Sequence, residues 1–230
     1  MIMQNFFKQF DITINNKSFY NEALTHNSYS NENRLTKNYQ RLEFLGDAIL
    51  QMNVSEYLFK KFPNYNEGIL TKYRSSMVRR ESLAQISKNI GLGKFIRLGV
   101  GELESKGYEK ESILSDIYES LTAAIYLDGG IVALNKWLEA TIFSKENTKD
   151  FLEHVTDYKS ELQEIIQLEM RSQLSYSTVK QSKVEENKTL FIVKVMIDGM
   201  IYGTGEGFNK KQAEQQAAKS ALSKIKKKAK

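Results

Sequence analysis

Apolar residues recur at a helical spacing through the first two thirds of this chain and at a two-residue spacing near its end. Positions i, i+3 and i+4 repeat through Asn21–Thr25, Tyr39–Lys61, Glu67–Asn89, Lys110–Leu127 and Ile131–Phe143, the mark of successive amphipathic helices. Pro63, the only proline, follows the long second stretch and ends it. Glycines at Gly91/Gly93, Gly99/Gly101 and Gly129/Gly130 separate the others. The pattern predicts an all-α domain over residues 1–147. Ser144–Asp157 is polar and loses the periodicity, which marks a linker, set here at 148–156 and partly helical.

The period then changes. A helix is expected at Tyr158–Met170, followed by the β-rich runs SYSTVKQSK and TLFIVKVMID. In the second run Phe191, Val193, Val195 and Ile197 fall on one face and Lys194 on the other, as a half-buried strand requires. Asp198-Gly199 is a hairpin signal leading into MIYGTGEG as a third strand. Lys210–Lys226 closes the module as an alanine-rich helix, and the last residues, KIKKKAK, are expected to be irregular. An α+β domain of order α-β-β-β-α over 157–230 follows, so the fold class is multi-domain.

Length agrees with this division, since 230 residues hold either one large domain or two smaller ones with proper cores. No run approaches the roughly 18 apolar residues of a membrane span, so no membrane partner is expected. Asp11 interrupts the apolar start and no small-residue cleavage site follows, which argues against a signal peptide. The absence of cysteine excludes disulfides and zinc–thiolate sites and fits a cytoplasmic location. Charge adds more. Of the formal +5, none lies in residues 1–155, where 19 Lys and Arg balance 19 Asp and Glu; all of it lies in 156–230. Phe208–Lys230 alone carries eight lysines and one acid, Glu214. A basic module on a neutral body points to a polyanion partner.

The helical domain carries two acid pairs inside apolar segments. Glu43 and Asp47 are four residues apart in NYQRLEFLGDAIL, and Asp116 and Glu119 are three apart in ESILSDIYESL. Each pair shares a helix face, where like charges repel unless something positive lies between them. Two helices offering carboxylate pairs make an all-oxygen donor set, suited to Mg²⁺ or Mn²⁺ rather than zinc or copper. Glu43 and Asp47 lie mid-helix, so capping does not explain them, whereas pairing with Arg41 or Arg74 would. Spacing alone leaves the metal site and the ion-pair reading both open. A di-iron bundle needs Glu-x-x-His, and neither His26 nor His154 follows a Glu at that distance. A paired-carboxylate glycosidase is conceivable but leaves the basic module without a purpose. Phosphodiester hydrolysis uses both features.

RLEFLGDAIL resembles the signature helix of the ribonuclease III family of double-stranded-RNA endonucleases. LTHNSY (Leu24–Tyr29), NEG (Asn66–Gly68) and Gly101–Leu121 resemble further family blocks, in the family's order. DYKSELQE (Asp157–Glu164) and GTGEGFNKKQAEQQAA (Gly203–Ala218) resemble a double-stranded-RNA-binding domain. The likeness implies an all-α ribonuclease III endonuclease domain followed by that RNA-binding domain, a homodimer with Phe44 at the interface, and Mg²⁺ as cofactor with Mn²⁺ able to substitute. It implies Glu43, Asp47, Asp116 and Glu119 as metal ligands, with Asp47, Glu119 and Glu67 taking part in catalysis. The implied products carry 5′-phosphate and 3′-hydroxyl ends with short 3′ overhangs, and the implied role is processing of rRNA, mRNA and other structured precursors. One position departs from the pattern: Gln40 stands where the family usually has Glu, so no role needing a charge can sit there.

In the second domain the likeness implies that Gln163 and Glu164 touch a minor groove and that Asn209, Lys210 and Lys211 meet phosphates, with Asn209 as helix cap. The loop VEENK (Val184–Lys188) brings two acids where such domains often have Gly-Pro and a His, which would lower affinity. A non-catalytic RNA-binding relative on the same fold is the rival expectation, and retention of all four acids argues against it.

Overall fold

The computed structural model describes residues 2–35, 37–63, 65–144, 147–148, 158–167, 172–185 and 188–228. The chain divides into two compact units, Met1–Val155 and Thr156–Lys230. Most of the expected linker at 148–156 lies outside the described residues.

The first unit is helical, running through α1 (Ile2–Lys8), α2 (Lys17–Ala23), α3 (Asn27–Glu32), α4 (Gln40–Lys61), α5 (Glu67–Val78), α6 (Arg80–Asn89), α7 (Val100–Glu104) and α8 (Glu111–Ala140). Short 3₁₀ turns occupy Leu92–Phe95 and Gly107–Glu109. Helix α8 is the centre, with α2, α4 and α6 packed around it. It buries Ile113, Leu114, Ile117, Tyr118, Leu121 and Trp137. By length and composition it is the one described helix that could cross a membrane, although Asp116, Glu119 and Asp128 interrupt its apolar residues. Its apolar residues are those of a core helix, turned toward three neighbours. At Gly130 (φ 64°, ψ −162°) it kinks, at the expected Gly129/Gly130 break.

Three helical readings change. The expected helix Glu67–Asn89 is two helices, because Arg79 is extended (φ −67°, ψ 154°). The hydroxyl of Ser82 donates to the Ser76 carbonyl at 2.7 Å and stabilises that corner, which turns Leu83, Ala84 and Ile86 inward. Helices α1, α3 and α7 escape the periodicity because each is seven residues or shorter. Even so, Phe7 of α1 is buried, packing edge-on to Tyr20 at 4.8 Å between ring centres. Helix α8 ends at Ala140 rather than Phe143.

The second unit has the expected order: α9 (Tyr158–Ile165), β1 (Leu174–Glu185), β2 (Lys188–Ile197), β3 (Met200–Gly207) and α10 (Lys210–Lys228). The strands form one antiparallel sheet in the order β1-β2-β3. Asp198 (φ 49°) and Gly199 (φ 78°) both take positive φ, as a tight two-residue hairpin turn demands. Val193, Val195 and Ile197 point into a core with Leu162, Ile166, Ala213, Ala217 and Ala221. Sheet and α10 approach so closely that a Cβ on Gly205 would lie 2.1 Å from the Ala217 backbone nitrogen. Small residues on both sides permit that contact. Helix α10 continues to Lys228, so most of the basic tail is helical, against the expected irregular end. The described part of α9 ends before Met170, with 168–171 outside the described residues, as are 186–187 of the VEENK loop.

Candidate metal centre and nucleic-acid interface

The acid pairs of α4 and α8 meet because of a glycine. A Cβ placed on Gly46 would stand 1.8 Å from the carbonyl oxygen of Glu119. With hydrogen there instead, the two helix backbones touch, and the acid-bearing turns on either side face each other. Glu43, Asp116 and Glu119 each bring one carboxylate oxygen within 4.8 Å of the others. Asp47, one turn beyond Glu43, is exposed and stays outside this trio. It accepts a hydrogen bond from Gln51 Nε2 at 3.4 Å, yet its charge still acts on Glu43 and Glu119.

Three half-buried acids at this separation resist full ionisation. Burial, followed by the charges of Asp47, Asp116 and Glu43, pushes the Glu119 carboxyl up to about 8, with Arg80 opposing. Glu43 is raised by burial and then by Asp116 and Asp47. Asp116 is raised by burial in spite of hydrogen bonds from Ser115 and Tyr39 and the charges of Arg80 and His26. Arg80 thus offsets the cluster's negative charge only in part, and the donors are all hard oxygens. That is the chemistry of a site for Mg²⁺ or Mn²⁺, so the residues present fit such an ion.

Two side chains donate to Asp116. Tyr39 Oη donates to its Oδ2 at 3.4 Å, and Ser115 Oγ donates to its Oδ1 at 3.2 Å. Burial and the charges of Asp116 and Glu43 push the Tyr39 phenol well above its ordinary range, so it remains a donor. The His26 ring lies parallel to the Tyr39 ring, 8° between planes and 5.5 Å between centres. Sequence reasoning passed over Tyr39, Ser115 and Arg80. Tyr39 had a readable signal, since it sits one turn before Glu43. Arg80 had none, because only tertiary packing brings it near.

Other expected site residues lie elsewhere. Gln40 is exposed at the start of α4, its backbone N–H bonded to Asn38 Oδ1 at 3.2 Å. Glu67 is exposed in the first turn of α5, where it accepts from Thr71 Oγ1 at 3.0 Å. It lines a separate cavity of about 590 Å³ with Glu56, Phe59 and Arg74, and is not part of the acid trio. Phe44 is 81% exposed, and with Met52 and Phe59, 61% and 71% exposed, it forms an apolar stripe along α4.

In the second unit the start of α10 is capped by side chains at its first turn. Asn209 Oδ1 accepts from the Gln212 backbone at 2.9 Å, and Gln212 Oε1 accepts from the Phe208 backbone at 3.2 Å. This reciprocal pairing caps the helix. Lys210 and Lys211 stand exposed beside the positive end of its dipole. Lys159 of α9 binds Glu214 of α10 at 2.6 Å, tying the two helices together. Gln163 is exposed on α9, and Glu164 beside it is half-buried.

The Ribonuclease-III-like family pattern matches residues 16–146, more than half of the chain. This chain belongs to the ribonuclease III family. The double-stranded RNA binding motif matches residues 158–225, so the second unit is a double-stranded-RNA-binding domain. The chain is similar over its whole length, at 54% identity, to Ribonuclease 3 of Mesoplasma florum, all of which is covered. It is 45% identical to Ribonuclease 3 of Spiroplasma citri across 97% of this chain and 90% of that one. Among solved structures, the nuclease domain of ribonuclease III from Campylobacter jejuni, described for flexibility in a region involved in its dimer formation, matches with a TM-score of 0.56. That match has 38% identity and covers 60% of this chain and 94% of that one. A ribonuclease III enzyme with a duplex-RNA-binding domain needs a divalent metal, and the acid trio is where the described residues offer one a place.

Proposed function

We propose that this ribonuclease III is an Mg²⁺-dependent, homodimeric endonuclease that cuts both strands of double-stranded RNA, leaving 5′-phosphate and 3′-hydroxyl ends with short 3′ overhangs. The observation that carries the proposal is the meeting of Glu43, Asp116 and Glu119 at the α4–α8 crossing, within 4.8 Å of one another, in a chain that also carries a double-stranded-RNA-binding motif. When bound there, the ion supplies an activated water and stabilises the leaving oxygen. Glu43, Asp116 and Glu119 hold it, and Asp47 joins them from the rim. Glu67, outside the trio, is assigned to the approaching strand rather than to the ion. Gln40 offers an amide at the mouth and no charge.

The RNA-binding domain supplies affinity. Lys210 and Lys211, with Asn209 capping the helix beneath them, meet phosphates across the major groove, while Gln163 and Glu164 face a minor groove. The stripe of Phe44, Met52 and Phe59 on α4 is too apolar to remain in water and is assigned to the two-fold interface with a second copy. A cytoplasmic enzyme processing rRNA and other structured precursors is the biological role we infer.

Incubation with a perfect RNA duplex tests this reading. Cleavage in Mg²⁺ and none in chelator is expected, with end analysis showing 5′-phosphates. The Glu119→Gln variant should lose cleavage and keep duplex binding, because Glu119 is assigned to the ion and not to RNA. Duplex binding by the unaltered protein without cleavage in Mg²⁺ or in Mn²⁺ would refute the enzymatic reading in favour of a binding protein.

A further inference from the structure

One residue touches both acid-bearing helices without belonging to the acid trio. The backbone carbonyl of Tyr39 accepts the Glu43 N–H at 2.8 Å, which fixes the first turn of α4. Its phenol reaches across to Asp116 Oδ2 on α8 at 3.4 Å. Its own N–H donates to the Thr25 carbonyl at 3.0 Å, anchoring it to the segment that precedes α3. The residue is only 6% exposed, so the hydroxyl needs a protein partner, and the partner it has is a carboxylate of the cluster.

The ring is fixed from behind. His26 lies parallel against it and is itself held by Ser28, whose hydroxyl is 2.8 Å from His26 Nδ1. The same Ser28 hydroxyl accepts the Gly99 N–H at 2.9 Å. A phenol that is 3.4 Å from its acceptor makes a long hydrogen bond, and the imidazole lies parallel to the ring that carries it. Asp116 is also the one trio member so held: among the described residues neither Glu43 nor Glu119 accepts a hydrogen bond. The cluster therefore combines one oriented acid with two that can adjust.

We propose that Tyr39 is a positioning residue of the metal centre, presenting Asp116 to the ion through its phenol while its carbonyl sets the register of Glu43. Carboxylates that bind metals depend on such outer hydrogen bonds for their orientation, and loss of one weakens affinity or activity by about 10–100-fold. The inference rests on the reading that the trio binds a divalent cation, and the test separates the two.

Mn²⁺ binding is measured by electron paramagnetic resonance on the full chain without RNA, for the unaltered protein, Tyr39→Phe and Tyr118→Phe. Tyr118 is a second buried tyrosine of the same unit, its hydroxyl 2.7 Å from Thr141 Oγ1, so it controls for the loss of any buried phenol. Tyr39→Phe keeps the ring and its stack. It should bind Mn²⁺ about 10-fold or more weakly and need correspondingly more Mg²⁺ for half-maximal cleavage, with duplex affinity in chelator unchanged. Tyr118→Phe should bind Mn²⁺ like the unaltered protein. Equal Mn²⁺ affinity in Tyr39→Phe and the unaltered protein overturns the positioning role and leaves the metal site standing. Equal losses in the two tyrosine variants overturn it as well, since a general loosening would then be the cause. Failure of the unaltered protein to bind Mn²⁺ overturns the metal centre itself, and the role of Tyr39 with it.

Discussion

Replacing Glu119 by glutamine should make the metal-free protein more stable at pH 8 while removing its response to Mg²⁺. In the folded chain the Glu119 carboxyl sits at about 8, against 4.5 for an ordinary glutamate. Below pH 4.5 both folded and unfolded chains hold the proton and the site costs nothing. Between 4.5 and 8 the unfolded chain gives the proton up first, so stability falls as pH rises and the full cost is present above 8. At 1.36 kcal/mol per unit the ceiling is about 5 kcal/mol. The group keeps some contact with water and shares its repulsion with Glu43, Asp47 and Asp116, so about 2 kcal/mol is the expected effect after screening. Glutamine has no proton to lose and escapes this cost.

The assay has a natural reporter. Trp137 is the only tryptophan in the chain and is fully buried in the first unit, so its fluorescence follows the unfolding of that unit alone. For a unit near 150 residues, about 2 kcal/mol corresponds to a Tm rise of roughly 4–8 °C. In chelator, Glu119→Gln should exceed the unaltered protein by that amount at pH 8 and by almost nothing near pH 4.5. Adding Mg²⁺ should raise the Tm of the unaltered protein and leave the variant unmoved. A variant that melts at or below the unaltered protein at pH 8 in chelator would refute the account of a charge-strained cluster.

Three further outcomes follow from other contacts. Gly46→Ala puts a Cβ where the Glu119 carbonyl stands; it should cost about 2 kcal/mol or more in urea unfolding followed by Trp137 fluorescence, with weaker Mn²⁺ binding. Phe44→Asp places a charge in the proposed two-fold stripe and, at about 2 kcal/mol of lost burial on each side, should weaken self-association at least about 100-fold by analytical ultracentrifugation. Lys210→Glu combined with Lys211→Glu should weaken duplex binding alike for all sequences and lower the slope of log affinity against log salt by about 2 in a fluorescence-anisotropy titration.

Much of the architecture is readable in the sequence, and the residues explain why. A two-residue period in Phe191–Ile197, the turn Asp198-Gly199 and an alanine-rich stretch after Asn209 are local signals, and each became the expected strand, hairpin or helix. Short helices were not readable. Ile2–Lys8 has too few turns to show a period, and its place is set by Phe7 packing on Tyr20, a contact between distant segments. The break at Arg79 was hidden because Glu67–Asn89 keeps helical periodicity across it, and the Ser82–Ser76 bond that stabilises the corner forms only once the chain has turned there.

The candidate site divides along the same line. Sequence alone paired Glu43 with Asp47 and Asp116 with Glu119, because residues three or four apart share a helix face wherever the helix goes. It could not say which acids would meet. The crossing at Gly46 decided that, drawing Glu43, Asp116 and Glu119 together, leaving Asp47 at the rim and sending Glu67 to another cavity. It also could not show that Tyr39 reaches Asp116, since 77 residues separate them along the chain. Local spacing fixes which side chains point the same way; only the close approach of two backbones, permitted by a missing Cβ, fixes which of them share a charge, a proton or an ion.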